Sequence, residues 1–150
     1  IYDGAIPSGN SVALLNLARL YKLTSETGYQ TKADEMIKYF SGQIQRSPSA
    51  FCMFLCGLDF MFSGSIEIII VSESKDNITI KALELIRTYF LPNRVIILSI
   101  KDSKEKLSKY FPFTIDMKLI NDKTTFYVCA NYACKQPVNR IEDLEKALLL

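Results

Sequence analysis

A chain of 150 residues with 49% apolar side chains can hold one ordinary domain or two small units and has enough hydrophobic material for a real core, which excludes a disordered polypeptide. Its 18 basic and 16 acidic residues are interleaved to a net charge of +2, which argues against a nucleic-acid groove or an anionic membrane as partner. No apolar run approaches the roughly 20 residues of a membrane span and no signal peptide is recognisable, so a soluble, cytoplasmic protein is expected. The complete lack of histidine removes every Ser-His, Cys-His and His-metal arrangement from within the chain.

The chain begins Ile1-Tyr2-Asp3 without Met and enters its first helix within a few residues, which points to a C-terminal region of a longer protein. The stretch DGAIPSGNS, Asp3 to Ser11, concentrates a carboxylate, two glycines, a proline, two hydroxyls and a carboxamide. Ser8 and Asn10 are both candidate N-caps, and Asp3 can bond backbone amides in such a turn. A helix is predicted from Ser8 to Leu23. Its apolar residues cover more than one stripe, so it reads as an inner helix wrapped by others. The turn LTSETG ends it, with Gly28 at a positive-φ loop position.

A second, amphipathic helix is predicted from Thr31 to Gln45, with Ala33, Met36, Ile37, Phe40 and Ile44 inward. Ser47 then caps a third helix with Pro48 in its first turn. From Phe51 to Phe62 only Asp59 is charged, which predicts burial nearly all round. Asp59 itself is expected to be a buried carboxylate paired with a backbone amide or a base such as Arg19. Three such helices carry more apolar surface than they can cover among themselves.

After Ser63-Gly64-Ser65 the pattern changes. IEIIIVS (Ile66 to Ser72) and RVIILSI (Arg94 to Ile100) read as buried strands joined through a helix from Ile80 to Phe90, a βαβ unit with a parallel pair. Asp102 or Ser103 caps a short helix to Tyr110, and Phe111-Pro112-Phe113 reads as extended. DMKLI (Asp116 to Ile120) and TTFYVCA (Thr124 to Ala130), split by Asn121-Asp122-Lys123, predict a hairpin on the sheet edge. NYACKQPVN is an irregular loop, and Asn139 caps a last helix that buries Ile141, Leu144, Ala147 and Leu148. The expectation is a mixed α/β chain: a helical segment over residues 1–64, then a βαβαββα unit with a mixed sheet over 65–150.

Cys52 and Cys56, one turn apart on an apolar helix, read as core packing. Cys129 and Cys134 bracket the loop after the last strand as a possible thiol pair, either structural or a redox switch. Two thiols without His or a second pair do not complete a zinc site, so no metal is expected. The polar loop SESKDN lies at the carboxyl end of a parallel strand, where α/β folds bind ligands, but it carries neither GxGxxG nor a P-loop lysine. No cofactor is expected. The aromatic residues Phe54, Phe60, Phe62, Tyr89, Phe90, Phe111 and Phe113 are assigned to packing.

Four blocks, DGAIPSGNS, LARLYKLTSETGYQTKADEM, PSAFCMFLCGLDFMF and KTTFYVCANYACKQPV, give the sequence a resemblance to the C-terminal part of the YyaL-type, spermatogenesis-associated thioredoxin-domain proteins. The resemblance implies an upstream thioredoxin-like domain and a helical toroid similar to six-hairpin glycosidases and N-acylglucosamine 2-epimerases. Residues 1 to about 62 would be its closing helices. It implies that Asp3, Ser8, Asn10 and Ser11 line a pocket for a small polar or sugar ligand. No catalytic residue is assigned: there is no histidine pair, and a lone Asp3 is not a glycosidase carboxylate pair. Upstream domains of the same protein are the implied partners, and the segment alone is expected to be inactive. The alternative is a non-catalytic interaction or dimerisation module whose apolar helix faces dock onto other domains or a second copy.

Overall fold

A computed structural model describes residues 2–130 and 133–149, and the chain divides into two compact units, residues 1–64 and 65–150. The first unit contains α1 (Gly9–Thr24), α2 (Thr27–Arg46) and α3 (Cys52–Phe62). Helix α1 starts at Ser8, whose hydroxyl accepts the Ser11 N–H at 3.1 Å, and closes at Ser25 in the left-handed region, φ 61°. The predicted glycine turn is therefore corrected. Thr24 Oγ1 donates to the Leu20 carbonyl and accepts the Glu26 N–H, so a hydroxyl makes the bend and Gly28 falls inside α2.

Helix α1 packs against both α2 and α3. Leu14, Ala33, Ile44, Phe51 and Phe54 form the core, with the Phe40 and Phe54 rings edge to face at 5.9 Å. Helices α1 and α3 approach closely at Gly57, where a Cβ would lie 2.9 Å from Leu14 Cδ2. Ser47 makes no side-chain cap, and a single 3-10 turn over Pro48–Phe51 leads into α3.

The all-round burial expected of α1 and α3 is not reached within the described residues. Helix α1 buries Ser11, Leu14 and Ala18 but exposes Val12 and Leu20. Helix α3 buries Phe54, Gly57 and Phe60 and exposes Cys52, Cys56, Asp59 and Phe62. These last four recur at helical spacing along the face opposite the buried stripe. Cys52 and Cys56 are accordingly exposed free thiols, not core. Asp59 is exposed and accepts the Ser63 hydroxyl, while the Arg19 guanidinium lies over the Phe60 ring at 5.9 Å.

The second unit runs β1 (Ile66–Ser72), α4 (Asn77–Thr88), β2 (Arg94–Ile100), α5 (Lys104–Tyr110), β3 (Thr125–Ala130), β4 (Ala133–Cys134) and α6 (Ile141–Leu148). The sheet has the order β2-β1-β3-β4, with β1 parallel to β2 and antiparallel to β3. This is the mixed sheet of a mixed α/β fold, as the alternation of strand and helix patterns predicted. On one face Ile68, Ile70, Phe126 and Val128 pack with Ala82 and Ile86 of α4 and Leu144 and Leu148 of α6. On the other, Ile69, Val71, Val95 and Ile97 are also buried. Burial of β1 on both faces accounts for its unbroken apolar run.

The predicted hairpin is wrong in its first strand. Asn121 (φ 53°) and Asp122 (φ 56°) do form a tight turn, but only Ile120 and Lys123 bridge across it. One edge of β3 is paired with β1 and the other with β4 and Val138, so no edge is left for residues 116–120. Side chains serve their backbone instead: the Tyr127 hydroxyl accepts the Lys118 N–H and donates to the Lys118 carbonyl, and Thr125 Oγ1 accepts the Ile120 N–H.

Other local assignments also change. Residues Pro112–Thr114 form a 3-10 turn and are not extended. Ser103 does not cap α5 through its side chain; its hydroxyl donates to the Ile100 carbonyl. Asn139 is not a helix cap, because its carboxamide donates to the Thr124 carbonyl and to Thr125 Oγ1. The irregular loop expected over 131–139 lies outside the described residues at 131 and 132; beyond them it contains β4.

Candidate functional site

At the start of the first unit the structure brings Asp3, Ser8 and Ser11 together. Asp3 Oδ1 accepts the Ser8 N–H at 2.8 Å, and Oδ2 accepts the Ser11 hydroxyl and the Phe54 N–H, both at 3.0 Å. The Ser8 and Ser11 hydroxyls are 2.8 Å apart, and the Asp3 N–H donates to the Ala50 carbonyl. One carboxylate thus ties the opening loop to the first turns of α1 and α3. A negative charge beside the α3 N-terminus is also favourable to the helix dipole.

Partial burial pushes the Asp3 carboxyl up, but the Ser8 and Phe54 amides and the Ser11 hydroxyl outweigh it and hold it below the usual carboxylate range. A carboxylate committed to three fixed donors and kept ionised is poorly suited to act as a general base. Asn10 stands apart: it is exposed, and its carboxamide makes no hydrogen bond among the described residues. The sequence could suggest the cap at Ser8. The bond from Asp3 to Phe54 spans 51 positions and has no local signal.

In the second unit an open cleft of about 750 Å³ lies at the carboxyl end of β1, lined by Glu73, Asp76, Lys123, Thr124, Asn139 and Arg140 among others. Asp76 caps α4 by accepting the Thr79 N–H at 2.7 Å, and its other oxygen accepts the Thr124 hydroxyl at 3.1 Å. Thr124 Oγ1 is in turn 3.0 Å from Ser72 Oγ. Burial works against ionisation of Asp76, but bonds from Thr79 and Thr124 prevail and keep its pKa low. The loop SESKDN supplied the first half of this network; Thr124 and Asn139 were missed because they join it only through the fold.

Cys129 on β3 and Cys134 on β4 are register partners joined by a disulfide. Cys129 is buried and Cys134 exposed. Among the described residues no cluster of three or more His, Cys, Asp or Glu side chains could hold a metal ion. No helix of the described residues is long and apolar enough to cross a membrane.

No family model matches the chain, and no solved structure matches it. Among curated proteins it is similar to spermatogenesis-associated protein 20 of Rattus norvegicus, 31% identical over 146 residues that cover 97% of this chain and 18% of that protein. The Homo sapiens protein of the same name is 31% identical over 146 residues, 97% of this chain and 19% of that protein. An uncharacterized protein of Caenorhabditis elegans is 28% identical over 144 residues, 96% of this chain and 19% of that protein. The chain therefore spans about a fifth of the length of these relatives, and it matches the C-terminal part of spermatogenesis-associated protein 20 along nearly all of its own length.

Proposed function

We propose that this chain is a non-catalytic C-terminal segment whose helical unit docks onto preceding helices of a longer polypeptide. The observation that carries this reading is α3: a helix with one charged residue leaves Cys52, Cys56 and Phe62 exposed, and the neighbouring α1 exposes Val12 and Leu20. Apolar surface of this kind is costly to leave in water and is a recognised mark of an interface. The relatives, about five times longer than this chain, supply the rationale for an occupant within the same polypeptide, and the resemblance to a helical toroid suggests what its architecture would be.

The carbohydrate-pocket reading is the weaker one. Asp3, Ser8 and Ser11 spend their hydrogen bonds on each other and on backbone amides, which supports a role in positioning α1 against α3 rather than in reading hydroxyl groups. Asn10 is the candidate group still open to a ligand. In this reading any activity belongs to the longer protein.

The test is to express this chain and the remainder of the longer polypeptide separately and measure their association by calorimetry. Binding that weakens at least about tenfold with Phe62→Asp is the expected result, since placing a charge in an apolar contact costs more than 1.4 kcal/mol. No association, or association indifferent to Phe62→Asp and Leu20→Asp, would overturn it. Concentration-dependent dimerisation of the chain alone, abolished by the same substitutions, would assign the face to a second copy instead.

A further inference from the structure

A second, smaller cavity of about 240 Å³ opens at the carboxyl ends of the parallel strands β1 and β2, lined by Val71, Ser72, Glu73, Ser99, Lys101, Lys104, Lys118 and Leu119. Ser99 is the register partner of Val71 and only 3% exposed, yet its hydroxyl has no hydrogen-bond partner among the described residues. Among the described residues no buried side-chain oxygen or nitrogen is both sealed off and unpaired, so this hydroxyl keeps a residual opening, and Ser99 is one of the residues that line the cavity. A hydroxyl with no protein partner and a residual opening can donate to an acceptor that a ligand brings.

The surrounding charges fit one class of ligand. Lys101 follows β2 directly and Lys104 opens α5; the Lys104 ammonium donates to the Met117 carbonyl at 3.0 Å and so draws residue 118 toward the same strand ends. The Lys118 backbone is fixed by the Tyr127 hydroxyl, and its ammonium has no partner among the described residues. Among the lining residues three ammonium groups face one carboxylate, Glu73, which meets Lys101 at 2.8 Å with both side chains more than half exposed; Asp102, outside the lining, also acts on Lys101. An ion pair so exposed is worth little and is readily exchanged.

We propose that this cavity binds a phosphate group, with Ser99 Oγ donating to a phosphate oxygen and Lys101, Lys104 and Lys118 balancing its charge. The carboxyl ends of parallel strands are where α/β sheets bind ligands. The volume is below the roughly 300–1,000 Å³ of a site for a drug-sized molecule and suits a single anionic group. Three point-charge donors less one lining carboxylate match a dianion better than a monocarboxylate. Glu73 competes for Lys101 while the site is empty. The proposal does not depend on the docking face of the helical unit.

The test is a titration of the isotope-labelled chain at low ionic strength with inorganic phosphate, glycerol phosphate and acetate, followed by NMR at the amides of residues 72–73, 99–104 and 118. Saturable shifts with either phosphate are expected. Tighter binding of the ester assigns the site to phosphorylated small molecules, and equal or tighter binding of the free ion assigns it to phosphate itself. Ser99→Ala should weaken binding about tenfold, since a hydrogen bond to a charged group is at stake, and Glu73→Gln should tighten it. Ser99→Ala should at the same time leave the melting temperature equal or higher, because the hydroxyl it removes has no partner; a serine kept for structure would lower it. Acetate binding as tightly as phosphate, or shifts that do not saturate and ignore Ser99→Ala, would overturn the proposal.

Discussion

The sheet unit buries β1 between neighbouring strands and on both faces, whereas α1 and α3 of the helical unit each bury one stripe and leave apolar residues on the other. Strand β1 (IEIIIVS) and helix α3 (CMFLCGLDFMF) each carry a single charged residue, so composition does not separate these two. Topology does. A central strand acquires partners from four directions within a few dozen residues, while a helix flanked by two others is covered over only part of its circumference. The sheet unit closes the core on one face of β1 with its own helices α4 and α6, and the helical unit retains apolar surface suited to a partner.

Core truncation in each unit should produce the largest effects. Phe54→Ala and Phe126→Ala each remove a fully buried ring and should cost about 3–5 kcal/mol, read as a lowered urea midpoint. A cost below about 1 kcal/mol at Phe54, with the full cost at Phe126, would mean that the three helices lack an organised core of their own.

Next in size is the clamp that joins α1 to α3. Asp3→Ala leaves the Ser8 and Phe54 amides and the Ser11 hydroxyl without their acceptor and should cost about 2–3 kcal/mol. Because the folded-state pKa of Asp3 is depressed, its contribution is complete at neutral pH, starts to fall as the pH drops toward about 3.9, and is lost as the pH passes through the lower folded value. Stability measured from pH 7 down through this range should therefore fall less steeply in Asp3→Asn than in the parent chain. Identical slopes would show that the carboxylate is not held as described.

The smallest of these effects lies in the sheet unit. Asp76→Ala removes the α4 cap and the bond from Thr124, and about 1 kcal/mol is expected from chemical denaturation. A loss comparable to that at Asp3 would remove the contrast between a local cap and a clamp joining two helices.

Much of the sheet was legible in the residues. The β-branched runs Ile66–Ser72 and Arg94–Ile100 became strands at those bounds because no other local structure suits them. Residues 116–120 carry a similar signal and are not a strand. Nothing in DMKLI reveals that both edges of β3 are already filled, or that Tyr127 and Thr125 side chains will occupy its backbone groups. The same limit applies to the candidate site. Ser8 could be read as a cap from its neighbours, but the partner of Asp3 lies on a different helix, and the open hydroxyl of Ser99 is visible only once β1 and β2 are paired. Apolar periodicity in α3 measured how much surface needs covering, not what covers it.

The docking face can be interrogated most directly through its own cysteines. Cys52 and Cys56 lie on the exposed stripe of α3 and are free thiols. Their maleimide labelling, followed peptide by peptide, can be compared between this chain alone and the longer polypeptide. The account predicts rapid labelling of both in the isolated chain and labelling of Cys56 slowed by at least about tenfold in the longer protein, as expected of a site that reacts only on local opening. Equal rates in the two contexts would show that this face of α3 stays in water and would contradict the docking role.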